Sequence, residues 1–420
     1  MREIVYDLTE VFYGSRGKLK YYGIVRVVAD IAAELLKHAP GTRYCIYSPA
    51  HEDFLEVFPT LDDSVEGGVA MNVPVAACPA RIREIYHDRH ALRDMLVKGV
   101  LQVAKMINRK RWREAGVDLP KINLDGKALV MTGRPKLMLS PLKRIEEKGW
   151  DVRVHALLHD MIPLHDAKGL RSKAFPRNFL NDNRFVIERS AQIIANSHFT
   201  EDDIRAFADE GVLPPLPPTT TVQLCHECRP GTEAPEKVLP DEPYLLAVGA
   251  LIGRKNLEIV FNAMLVLHER GLPVPHVVLA GAVREHVTKY LQQEKYAPIR
   301  DKVEQSANPN QTDLIRYYEG ALGLVLASWI EGWGLPAGEA LWLGTPALCS
   351  TAPVLHEVCG DLGLYFEADK PEQLADHVDR LMNVPGYRDA LVERIKTAKP
   401  TLRSWADVAR DAEAAVRQLD

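Results

Sequence analysis

Residues 323–346 read GLVLASWIEGWGLPAGEALWLGTP. Its first five residues are apolar without alternation, the pattern of a strand covered on both faces. The stretch from Ser328 to Pro336 then reads as a loop at that strand's C-terminal end, where open α/β sheets place their ligands. Gly332 and Gly334 permit close backbone approach, and Pro336 suits the first turn of a helix whose free N–H groups attract anions. Glu331 lies in the loop and Glu339 eight residues on, about a turn into the helix. Either the two carboxylates face one crevice and accept bonds from vicinal hydroxyls, or Glu331 is solvated and Glu339 favours a helix start.

The same rhythm extends outward. YLLAV (244–248), HVVLA (276–280), ALC (347–349) and GLYF (363–366) are strands separated by helical periods. EIVYD (3–7), RYCIY (43–47), ALVMT (128–132), VRVHALL (152–158) and QIIAN (192–196) repeat the theme earlier in the chain. Helices between non-alternating strands mean parallel crossovers, so the class is α/β with doubly wound sheets. The segment RPGTEAPEKVLPDEP (229–243) carries four prolines and follows PPLPP (214–218), so it reads as a stiff connector. It sets domains at 1–235 and 236–400 facing each other across a hinge and cleft. The amphipathic 401–420 helix either ends the second domain or crosses back to the first.

A second constellation, VGALIGRKN (248–256), also follows a strand, and its helix starts near Asn256. Arg254 and Lys255 offer a bidentate fork and a point charge for a diphosphate, or a solvated basic pair. In the first half, LLHDMIPL (157–164) places His159 and Asp160 at a strand end, where the histidine is either structural or catalytic. The opening connection LTEVFYGSRGKLKYYGI (8–24) reads as a long loop, with Gly14, Arg16, Gly17, Lys18 and Lys20 forming a cationic lip.

The chain has 420 residues, 26% charged, with 52 Lys+Arg against 57 Asp+Glu. Its formal charge of −5 argues against bulk nucleic-acid binding. The start MREIVYDL places charges where a signal peptide needs an apolar stretch, and no run suits a membrane span. The expected location is cytoplasmic, with any membrane contact peripheral and at the inner face. Residues 81–113 hold ten Lys/Arg against three Asp/Glu. Between Arg89 and Arg113 they read as a helix with Leu92, Leu96, Val100, Val103 and Ile107 on one stripe. That stripe is either core packing or, with its charges, a contact for an anionic membrane. CHEC (225–228) has no second cysteine pair in range, so free, reduced thiols are expected. No GxGxxG follows a strand, no phosphate-binding GxxxxGK[ST] occurs, and no strand end carries an Asp-x-Asp for a divalent metal.

EGWGLPAGEA (331–340) resembles the E-x7-E signature of retaining glycosyltransferases of the GT4 group, whose GT-B architecture pairs two Rossmann-like domains. VGALIGRKNLEIVFNAM is similar to the group's Gly-x4-Arg-Lys-Asn stretch, and TAPVLHEVCGDLGLYFEADKPEQLADHVDRLM to its closing segment. YGIVRVVADIAAEL, LLHDMIPL and QIIANSHFTEDDI resemble the bacterial mannosyl- and rhamnosyltransferases of surface-polysaccharide assembly. The departures are Trp333, where Phe is commoner, and a polar SANPNQTDL (306–314) near the expected nucleobase.

The resemblance implies hexose transfer with retention from a nucleotide-diphosphate sugar, GDP-mannose foremost, to a glycan or lipid-linked acceptor, without metal or other cofactor. It implies Arg254 and Lys255 on the diphosphate, Glu331 on the hexose and Glu339 on the ribose. Gly249, Gly332, Trp333, Gly334 and Leu335 then line the donor, and His159 and Asp160 lie beside the transferred sugar. The loop of Gly14, Arg16 and Gly17 falls on the acceptor side. The competing readings are a GT-B nucleotide-sugar epimerase and a non-catalytic GT-B partner protein.

Overall fold

The computed structural model describes residues 2–14, 23–79, 91–165, 175–249 and 252–419. They divide into two compact units. Unit 1 takes the described residues within 1–165, 171–223 and 405–420, and unit 2 those within 224–404.

In unit 1 the strands in chain order are β1 (Ile4–Asp7), β2 (Arg43–Ser48), β3 (Asp53–Val57), β4 (Thr60–Leu61), β5 (Val69–Ala70), β6 (Ala128–Met131), β7 (Arg153–Leu158), β8 (Gln192–Ala195) and β9 (Thr219–Thr221). Seven of them form one sheet in the order β3-β2-β1-β6-β7-β8-β9, parallel except for the β2–β3 hairpin. β4 and β5 pair separately. Val5, Leu129, Val154 and Ile193 bring successive strands into one core. Each such buried aliphatic contributes roughly 1.5–3 kcal/mol, and none of the four is more than 2% exposed.

Unit 2 contains β10 (Tyr244–Val248), β11 (His276–Gly281), β12 (Val303–Ala307), β13 (Gly323–Leu326), β14 (Ala347–Ser350) and β15 (Leu364–Phe366). They form a single parallel sheet in the order β12-β11-β10-β13-β14-β15. The order reverses between β10 and β13, so their C-terminal ends open a crevice at the topological switch point. β12 reads VEQSA, half exposed at the sheet edge, and carries no apolar run that would announce it.

Three expectations change, and of the two places left open for the C-terminal helix the structure takes the one in the first domain. The proline-rich segment 229–243 belongs to unit 2, and the chain passes between units at 223/224 instead of 235/236. The reason is a row of bonds to helix Gln311–Gly320. Asp313 accepts from the Glu236 and Lys237 amides at 2.9 Å each, and Gln311 and Thr312 donate to the Arg229 and Glu233 carbonyls at 3.0 and 2.6 Å. The 405–419 helix lies in unit 1 against helix Ile24–His38.

The opening connection is helical at Thr9–Gly14, so Gly14 ends a helix and does not sit in a loop. The Asp7 carboxylate accepts from the Thr9 amide at 3.0 Å, and Phe12 packs edge-on against Trp112. Arg16, Gly17, Lys18 and Lys20 lie outside the described residues. The basic helix spans Ala91–Ala115 and buries Ala104, Asn108 and Trp112 at helical spacing. Val100, Val103 and Ile107, read as a packing stripe, are 57%, 56% and 41% exposed, with Met106 beside them at 69%. Arg89 and the side chains of Leu92 and Leu96 lie outside the described residues.

Candidate functional site

The loops after β10 and β13 meet at the switch point of unit 2. Gly249 closes β10 with φ 91° and donates its amide to the Ala280 carbonyl at 2.8 Å. A Cβ on Gly281 would sit 3.5 Å from the Gly249 Cα, so the ends of β10 and β11 approach closely. A small cavity here is lined by Val248, Gly249, Lys255, Leu257, Leu326 and Ala327. Asn256, at φ 50°, turns the chain into helix Leu257–Glu269, and its side-chain amide donates to the Ala368 carbonyl at 2.7 Å.

Two hydrogen bonds to backbone carbonyls stitch the loops together. The Trp329 amide donates to the Arg254 carbonyl at 3.0 Å, and the Arg254 guanidinium donates to the Ile330 carbonyl at 3.1 Å. Glu331 is therefore delivered to Arg254 and Lys255. Its two oxygens lie 2.9 Å from Arg254 Nη1 and 2.7 Å from Lys255 Nζ, and Ser328 Oγ donates at 2.6 Å. Burial alone would raise the Glu331 pKa. The Lys255 and Arg254 charges, with hydrogen bonds from Lys255 and Ser328, outweigh it and hold the pKa at about 2. The solvated alternative for Glu331 is excluded, since the residue is only 8% exposed. Two cations against one carboxylate leave a positive balance, with Arg254 the more accessible at 28% of its side chain.

Helix Leu335–Trp342 follows directly. Gly334 precedes it at φ 102°, and a Cβ there would meet Leu355 Cδ2 at 2.7 Å, so only glycine fits. Leu335 and Pro336 form the first turn, whose N–H groups cannot bond within the helix. Glu339 is buried on this helix and accepts from the Tyr318 hydroxyl at 2.7 Å. Trp333 is buried too, its indole N–H donating to the Cys225 carbonyl at 3.1 Å, so it supports the loop from behind.

Unit 1 has its own switch point, between β1 and β6. His159 is 8% exposed, and its Nε2–H donates to the Thr132 carbonyl at 2.8 Å. Burial lowers its pKa to about 4, so the ring is neutral and keeps Nδ1 as its acceptor. Asp160 accepts from the Ile162 amide at 3.1 Å, a local turn bond. Glu10 pairs with the Arg134 guanidinium and accepts from the Arg134 amide at 3.0 Å. A Cβ on Gly133 would come within 3.0 Å of the Glu10 Cβ. Burial pushes Asp7, just before this pair, up to about 7.

Sequence reasoning missed Ser328, Tyr318, Glu10 and Arg134. Tyr318 had a signal: a buried tyrosine requires a partner for its hydroxyl. The other three lack a local pattern. Among the described residues no group of three or more His, Cys, Asp or Glu is arranged to hold a metal ion. No described helix is long and apolar enough to cross a membrane.

Residues 232–398, all in unit 2, match the family described as Glycosyl transferases group 1. An uncharacterized glycosyltransferase of Methanocaldococcus jannaschii is 28% identical over 176 residues, 41% of this chain and 44% of that protein. O-antigen chain mannosyltransferase B of Escherichia coli is 33% identical over 82 residues, 20% of this chain and 22% of that one. The chain thus spans less than half the length of these curated relatives. The solved sucrose-phosphate synthase of Thermosynechococcus elongatus superposes with a TM-score of 0.64 at 17% identity, covering 100% of this chain and 99% of that one. That likeness is one of fold. The chain has the GT-B fold, two Rossmann-like α/β domains.

Proposed function

We propose that the protein is a retaining hexosyltransferase that moves mannose or rhamnose from a nucleotide-diphosphate sugar to a glycan or lipid-linked acceptor in bacterial polysaccharide synthesis. GDP-mannose is the favoured donor. The observation that carries this reading is the Arg254–Glu331–Lys255 cluster at the switch point, its carboxylate buried and its cations partly exposed, just ahead of a helix N-terminus. The family match of unit 2 and the E. coli mannosyltransferase relative support it.

Arg254 and Lys255 receive the diphosphate. Glu331 holds both cations in place beforehand, so they need little reorganisation when charge develops on the departing nucleotide. The Glu331 carboxylate then meets the hexose, and Glu339, fixed by Tyr318, accepts from the ribose hydroxyls. Gly249, Gly332, Gly334 and Leu335 bring backbone close to the donor. In unit 1, Nδ1 of His159 is the acceptor offered to a sugar hydroxyl, and Asp160 shapes its loop. The acceptor oxygen forms the new glycosidic bond as the anomeric carbon–phosphate oxygen bond breaks, and its proton passes to the leaving phosphate.

The exposed Val100, Val103, Met106 and Ile107, with Arg109, Lys110 and Arg113 on the same helix, support contact with an anionic membrane that presents a lipid-linked acceptor. The deciding experiment incubates the protein with GDP-mannose and UDP-hexoses, with and without lipid-linked saccharide, and follows products by NMR. Transfer giving an α-linked product from an α-linked donor supports the reading. Conversion of donor sugar without acceptor identifies an epimerase, and absence of nucleotide binding a non-catalytic protein.

A further inference from the structure

The Cys225-His226-Glu227-Cys228 segment, which carries no recognised chemistry, lies against the donor loop. The His226 amide donates to the Arg403 carbonyl at 2.9 Å, and the Arg403 amide donates back to His226 Nδ1 at 3.1 Å. His226 Nε2–H donates to the Val358 carbonyl at 2.8 Å. Both ring nitrogens are thus engaged, in one neutral tautomer. The ring is 6% exposed. These bonds tie the strap to the last residues of unit 2 and to helix Pro353–Cys359.

What the strap backs is the scaffold of the loop that carries Glu331 and of the helix that carries Glu339, seen in two contacts. Its Cys225 carbonyl accepts from the Trp333 indole at 3.1 Å. At Gly338, a Cβ would come within 3.2 Å of the His226 Cα and 3.3 Å of the Cys225 oxygen. Gly338 immediately precedes Glu339, and Trp333 is two residues beyond Glu331. The helix bearing one candidate carboxylate and the loop bearing the other rest on the same two residues.

We infer that His226 is a positioning residue that sets the backbone of residues 332–340 through the Cys225–Trp333 bond and the Gly338 contact, and so tunes nucleotide affinity without touching the nucleotide. The consequence for affinity rests on the donor-site reading above. The strap itself does not.

The test uses the full chain and four proteins: wild type, His226→Ala, His226→Gln and Trp333→Phe. Hydrogen exchange read by mass spectrometry reports on the strap without any ligand. The expected result is exchange about tenfold faster over residues 332–340 in His226→Ala, with β11 amides unchanged and partial recovery in His226→Gln, whose amide can still donate. Unchanged exchange over 332–340, or equal acceleration throughout unit 2, overturns the inference. If His226→Ala does not fold, Trp333→Phe, which keeps a ring and loses the N–H, is judged by the same criterion. Calorimetry with GDP and UDP then reads affinity, with an expected weakening of about tenfold in His226→Ala. Wild type binding neither nucleotide refutes the donor-site reading while the exchange result still decides the strap. Wild type binding and His226→Ala binding equally well overturns the tuning claim.

Discussion

The Tyr318 hydroxyl donates to Glu339 Oε2 at 2.7 Å, inside unit 2, from a helix 21 residues earlier in the chain. Thr345 in turn donates to the Tyr318 carbonyl at 2.8 Å, so the tyrosine that aims the carboxylate is itself held. A carboxylate fixed in this way loses less freedom when it accepts hydroxyls from a ligand.

Tyr318→Phe therefore weakens nucleotide binding about threefold to tenfold, the effect of one lost hydrogen bond. Glu339→Ala costs more, on the order of 1.5–3 kcal/mol, because a charge-assisted pair is removed. Isothermal calorimetry on both variants checks the order. Unchanged nucleotide affinity in a folded Glu339→Ala protein removes the ribose assignment.

Replacing Arg254 and Lys255 together by Gln keeps donors beside Glu331 and deletes the charge. Turnover is expected to fall roughly 10²–10³-fold. Full activity in this double variant places the diphosphate elsewhere.

Glu331 also makes stability depend on pH. Its folded pKa of about 2 lies below the ordinary 4.5, so its contribution is complete above about 4.5 and is lost as pH falls toward 2. The melting temperature of wild type should exceed that of Glu331→Gln most clearly at pH 6–7, and the gap should narrow through this acid window. A gap independent of pH means the ion pairs are not its source.

His159 shifts stability in the same direction over a higher pH window, for a different reason: its neutral form is the buried one. Its folded pKa of about 4 lies below the ordinary 6.5, so between these values the unfolded chain binds more protons. Stability is lost as pH falls from about 6.5 toward 4, and His159→Asn should flatten that slope. In transfer assays the same variant should lower kcat and leave nucleotide affinity near wild type. A large fall in melting temperature at neutral pH with normal turnover assigns His159 to the fold alone.

The exposed stripe on helix Ala91–Ala115 predicts sedimentation with anionic vesicles that weakens as salt rises. Changing Arg109, Lys110, Arg111 and Arg113 to Gln removes the electrostatic part, and Val100→Ser with Met106→Ser the apolar part. Undiminished sedimentation of both variants makes this face ordinary surface.

Unbroken apolar runs such as YLLAV and GLVLA determined by themselves that the strands are buried on both faces and cross over in parallel. They also placed Arg254, Lys255, Glu331 and Glu339 in or just beyond loops at strand ends, since loop chemistry and helix starts are local properties of the chain. Tertiary structure alone decided which of these residues meet. The Glu331–Lys255 pair spans 76 residues and is bridged by the pairing of β10 with β13, whereas the Trp333–Cys225 bond spans 108 and depends on the His226 bonds to Arg403 and Val358. It also decided the destination of 229–243, whose prolines exclude a helix equally well in a free linker and in a strap bonded to Asp313. The basic helix is the sharpest case. Periodicity identifies an apolar stripe, but which side of a helix is covered depends on what folds against it, and here Phe12 and His51 cover Trp112 while Val100 and Met106 face solvent.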